Sequence, residues 1–116
     1  MTIAYLIVTA VTIAANAGIG LADLARARFV LANSAEVGVP PAWLPTLGIL
    51  KIAGAAGLAL GLLGVRVIGA AAAIGLVLFF TGAVIAHVRA RVLDNIAVPG
   101  AYLALAVASL ILLIAH

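Results

Sequence analysis

Polar and charged positions divide this chain into four long apolar segments. Predominantly hydrophobic runs occupy residues 2–22, 46–64, 67–88 and 98–115, and breaks fall at Asp23 to Pro45, at Val65-Arg66 and at Arg89 to Gly100. Each run is close to the roughly 20 apolar residues that carry a helix across a bilayer. Backbone groups in hydrocarbon must be bonded within their own helix, so the pattern predicts an all-α fold. The expectation is a single transmembrane domain over 1–116: an antiparallel four-helix bundle with an ordered cap loop at 23–45.

Composition narrows the class further. Of 116 residues 68% are hydrophobic and only 8% charged, against about a quarter charged in a soluble domain. A pI near 10.2 rests on a net charge of only +3, with no basic face to track a phosphate backbone, so nucleic acid is excluded as a partner. The absence of cysteine removes thiolate chemistry and sulfur-ligated metals; no metal site is expected. The first run lacks a basic n-region and reads as a retained span. Arg26, Arg28, Arg89 and Arg91 lie in the first and third connections, against Arg66 on the other side. By the positive-inside tendency both termini are outside, as in a bacterial inner-membrane protein.

The cap segment "NSAEVGVPPAWLPTLG" contains Asn33 and Ser34, either suited to N-cap a short helix, and Pro40-Pro41 to stop it. Trp43 fits the interfacial aromatic belt where the second span begins. A plain surface loop anchored by that tryptophan is the alternative.

Polar side chains within the spans carry most of the functional information. At 100° per residue Tyr5, Thr9, Thr12, Asn16, Gly20 and Asp23 fall on one face of the first helix. Such a stripe either packs against a neighbouring helix or faces a polar cavity. Lys51 is the one charge well inside a span, a costly placement that marks a functional candidate unless the side chain snorkels to the interface. Asn16 and Lys51 are expected at a common depth. On the same helix Gly54, Gly57, Gly61 and Gly64 form a stripe for close helix approach, within the chain or to another copy. In the third span His87 shares a face with Phe80, while Arg89 lies opposite, with Gly75 and Gly82. Which of the two turns inward depends on whether the glycine face packs inside, and an unwound helix end would let both turn toward the mouth. Tyr102 and Ser109 align on the fourth helix. Asp23, Glu36, Lys51, His87, Arg89, Arg91, Asp94 and Tyr102 all gather toward one end, as in a half-open polar pocket.

The runs "GVPPAWLPTLGILKIAGAAGLALGLLG" and "IGAAAAIGLVLFFTGAVIAHVRAR", followed by a Pro-led apolar helix, resemble the DoxX-like family of small four-helix membrane proteins. The more specific parts are Gly48 with Lys51 and the element His87-Val88-Arg89. The resemblance implies the fold and adds weight to Lys51, His87 and Arg89. It departs where "ARVL" precedes Asp94, since relatives often place an Asp closer. The family is named for a membrane subunit associated with quinone-linked thiosulfate oxidation, but nothing in this chain encodes sulfur chemistry.

These readings converge on a pocket for a lipophilic small molecule with an oxygen-bearing head, quinone- or isoprenoid-like. Lys51, His87, Arg89 and Asp23 are the candidate catalytic groups for acid/base or electrophilic chemistry. Asn16, Thr12, Glu36, Trp43 and Tyr102 are the candidate ligand contacts. Epoxide opening, isomerisation, cyclisation and quinone redox assistance all fit that set; no cofactor is evident beyond a quinone. Two other readings remain open. One is a non-catalytic accessory subunit or homo-oligomer packing through glycine faces. The other, a channel or solute carrier, needs Arg66 and Ser109 to complete a path.

Overall fold

The structure, a computed structural model, describes residues 2–115. Thr2 starts the first helix, its Oγ1 accepting the Tyr5 N–H at 3.1 Å, an N-cap that satisfies one otherwise orphaned donor. Helix α1 runs Ile3–Leu24, α2 Arg28–Glu36, α3 Leu44–Leu62, α4 Arg66–Arg89 and α5 Ala97–Ala115. A 3-10 turn at Pro41–Trp43 leads into α3. The four long helices are those long and apolar enough to cross a membrane. They close a ring in the order α1, α3, α4, α5, each packed on two neighbours.

Buried and exposed positions are distributed as hydrocarbon solvent requires. Ile3, Val67, Leu78 and Ile111 are more than half exposed, whereas Thr9, Thr12, Asn16 and Ser109 are almost fully enclosed. Lipid is as apolar as leucine, so polar groups gain by turning inward and large aliphatic groups lose nothing by turning out. A central cluster of Leu58, Ala73, Leu76, Phe80 and Ala106 fills the middle of the ring.

Helix ends are closed in one recurrent way. At the end of α1, Arg26 N–H donates to Asp23 O and Ala27 N–H to Ala22 O; at the end of α4, Arg91 N–H donates to Val88 O and Val92 N–H to His87 O. The same paired bonds end α2 at Gly38-Val39 and α3 at Gly64-Val65. This arrangement needs a left-handed residue, usually glycine. Gly38 and Gly64 supply it at φ 76° and 108°, but Arg26 and Arg91 adopt φ 53° and 59°, which carries a steric cost for a residue with a Cβ. At the far side of the bundle, Arg66 Nη2 donates to Leu113 O at 2.8 Å, closing the end of α5 with a cation.

The cap helix corrects the sequence expectation. Asn33 and Ser34 do not start it; α2 begins at Arg28 without a side-chain cap, and Gly38, ahead of Pro40-Pro41, terminates it. The glycine stripe of α3 is also resolved. A Cβ on Gly54 would lie 2.6 Å from Leu76, one on Gly57 2.5 Å from Ala72, and one on Gly61 2.8 Å from the Gly69 Cα. These three glycines are therefore used inside the chain, in the α3–α4 contact.

Another close approach, beside Asp23, is between α1 and α3. A Cβ on Gly48 would stand 2.7 Å from Gly20 O and 3.0 Å from Asp23 Cβ. Gly48→Ala should therefore destabilise the fold by about 1–3 kcal/mol. Gly18→Ala, where a Cβ meets nothing within 4 Å, should be neutral or stabilising by up to about 1 kcal/mol. Thermal unfolding in detergent compares the two, and equal effects would refute the close approach. By the same measurement Arg26→Gly should gain about 1 kcal/mol through relief of its left-handed backbone.

Candidate functional site

Two side-chain directions bring the central ion pair together. The Cβ of every helical residue tilts toward its helix N-terminus, so Asp23 at the end of α1 leans into the bundle and Lys51 in antiparallel α3 leans toward the mouth. Lys51 Nζ donates to Asp23 Oδ2 at 2.7 Å, with the two side chains only 12% and 3% exposed. Lys51 Nζ also lies 5.3 Å from the Phe79 ring centroid, within reach of a cation–π attraction. Lys51 thus meets Asp23, one end of the stripe, and not Asn16 at mid-span.

This pair forms part of the wall of a cavity of about 660 Å³ at the end of the bundle that carries the first and third connections. α2 and the 3-10 turn lie over it, contributing Phe29, Val30, Asn33, Ser34, Val37 and Trp43; Phe80, Ala83, His87 and Tyr102 line it from α4 and α5. Its surface is largely apolar, with the polar groups gathered at a few points, a composition typical of small-molecule sites.

His87 is almost fully buried, and its bonding fixes its tautomer. Nδ1 lies 2.8 Å from Ala83 O; a carbonyl only accepts, so Nδ1 carries the proton. Nε2 then keeps its lone pair, toward which Asn33 Nδ2 donates at 3.4 Å. His87 is thereby set up as an acceptor, or base, on the cavity wall. Arg89 is exposed and does not line the cavity, nor does Gly75, whereas Gly82 of the same face borders its edge. The choice between the two falls to His87 because the inward face of α4 is Ala73, Leu76, Phe80 and His87, while its glycine face is open.

The remaining candidates separate by depth. Tyr102 lines the cavity, donates to Ala15 O at 3.3 Å and stacks at a tilt 5.1 Å from Phe80. Trp43 lines it while staying 57% exposed. Glu36 and Asp94 are exposed and do not reach it. Asn16 and Thr12 lie beyond its floor. Asn16 Nδ2 donates to Thr12 O, and Thr12 Oγ1 bonds Val8 O at 2.7 Å and Ser109 Oγ at 2.9 Å. That part of the α1 stripe joins α1 to α5.

Sequence reading missed Asn33, Asn95 and Phe79 as wall residues. Asn95, in the turn before α5, has a buried Oδ1 without a protein hydrogen-bond partner. The spacing Val30, Asn33, Ser34, Val37 is helical and was the available signal in α2; Asn95 sits in an irregular turn and has no comparable periodicity.

The buried pair predicts a non-additive result. Lys51→Met leaves the Asp23 carboxylate buried without its partner and should cost about 3–5 kcal/mol, much of which the double variant Lys51→Met/Asp23→Leu should restore. A double-mutant cycle by unfolding in detergent measures this, and simple additivity would contradict the pairing.

The sequence pattern of the DoxX-like family matches residues 7–109, and the chain belongs to that family of membrane proteins. No curated protein and no solved structure matches the chain.

Proposed function

We propose that this DoxX-like membrane protein binds a lipophilic molecule with an oxygen-bearing head, quinone- or isoprenoid-like, in the cavity beneath α2. The cavity itself supports the reading. An ion pair and a tautomer-fixed histidine stand on walls that are largely apolar. An oxygen on the ligand accepts from the Lys51 ammonium, which Asp23 holds in place.

The same groups define the chemistry available. Lys51 stabilises negative charge developing on a ligand oxygen, and His87 Nε2 accepts a proton from a ligand C–H or O–H or from water. Acid/base opening or isomerisation of an oxygenated isoprenoid requires both roles, as does removal of a proton from a quinol hydroxyl. Arg89, exposed and off the cavity wall, has no part in these steps. With the mouth end in the cytoplasm, as the arginine distribution argues, the ligand head sits near the inner headgroup layer.

The competing account, assembly through the glycines of α3, has less support because Gly54, Gly57 and Gly61 already take part in the α3–α4 contact. A transmembrane path fares no better: Ser109 is bonded to Thr12 and Arg66 to Leu113 O.

Trp43 is the single tryptophan and borders the cavity, so its fluorescence reports occupancy. A short-tailed benzoquinone, itself a quencher, should quench Trp43 saturably in detergent-solubilised protein. The Lys51→Met/Asp23→Leu variant should bind at least about tenfold more weakly. Unsaturable quenching of equal extent in both proteins would refute the pocket.

A further inference from the structure

A second concavity of about 630 Å³ lies on the outer surface between α3 and α4. Its walls include Leu50, Ala53, Gly57, Ala71 and Gly75, and a Cβ on Gly75 would meet nothing within 4 Å. Leu78 and Phe79 border both this groove and the cavity. Phe79 packs edge-on against Phe80 at 5.0 Å and stands next to the Lys51 ammonium. Its ring thus marks the boundary between the polar wall of the cavity and an apolar channel open to lipid. From Ile68 to Phe79 the groove follows about 16 Å of the α4 axis, a length suited to an extended hydrocarbon chain and in excess of what a compact head requires.

We propose that the cavity ligand is a long-chain amphiphile whose tail passes between α3 and α4 at Phe79 and lies in the outer groove. The proposal rests on the cavity reading above and narrows it. A flexible linear tail is required, and a compact terpenoid would leave the groove to lipid. The two concavities share their boundary residues, so a single molecule spans both without crossing the packed centre at Leu58, Leu76 and Phe80.

The test uses two probes that differ only in the tail: a long-chain alkyl benzoquinone and the same ring carrying only methyl groups, both read by Trp43 quenching. Gly75→Leu and Ala53→Leu fill the groove from opposite helices at open or exposed positions, so neither disturbs the core. Both variants should weaken the long-chain probe by about tenfold and leave the methyl probe unchanged. Unchanged long-chain binding in both variants, with wild-type binding intact, would overturn the tail route alone. Failure of wild type to bind either probe would overturn the cavity reading and this inference with it. A wild-type dimer in native mass spectrometry that Gly75→Leu converts to monomer would assign the groove to a second copy and equally overturn the tail route.

Discussion

The contact of Gly20 with Gly48 governs the cavity end of the molecule. Where two helices meet without side chains, their axes approach closely enough that the next residues along each must either collide or complement one another. On α1 the next inward position is Asp23, and on α3 it is Lys51. The short reach across this contact converts a lysine of long, flexible stem into a held ammonium 2.7 Å from its carboxylate. A Cβ at Gly48 would press on Asp23 itself, so helix packing and placement of the charge are one constraint.

Stability does not explain the ion pair. Two charges taken out of water lose hydration that their mutual attraction only partly returns, and apolar groups of similar size commonly do as well. The pair instead gives polarity to one wall of an otherwise hydrocarbon-like chamber. His87 gives it to another, with its proton fixed on Nδ1 by Ala83 O and its lone pair directed to Asn33 of the cap. That bond also ties α2 to α4, so anything that engages His87 Nε2 competes with the attachment of the cap.

The fold was legible because charge is so sparse. Eight of the nine charged positions bound the four spans and leave little freedom, and helix limits fall within about two residues of the pattern. The α1 stripe was equally legible: Tyr5, Thr9, Thr12, Asn16, Gly20 and Asp23 are its buried residues. Periodicity established the face but not what opposes it. Thr12 and Asn16 meet α5 and their own helix, and only Asp23 reaches the cavity. The glycine rule worked for α3, where small residues admit α4, and left α4 undecided, where Gly75 and Gly82 meet no neighbouring helix. A small residue permits approach from either side; which side is occupied depends on the whole ring. α2 escaped notice at its start because it has no side-chain cap, and Asn95 because irregular turns carry no period.

Arg26 and Arg91 express a conflict between local and global demands. Each occupies the left-handed position that glycine fills at Gly38 and Gly64, so backbone geometry argues against a side chain there. Each also stands at the mouth end, where basic residues in short connections bias a span's orientation. Closing a helix with arginine costs roughly 1–2 kcal/mol of local strain but sets a positive charge immediately beyond the last turn, against the negative end of the helix dipole. The two helices closed in this way, α1 and α4, are the two that run toward the mouth and deliver Asp23 and His87 to the cavity. On the positive-inside reading, the strain is accepted at the ends whose orientation decides on which side of the membrane the cavity opens.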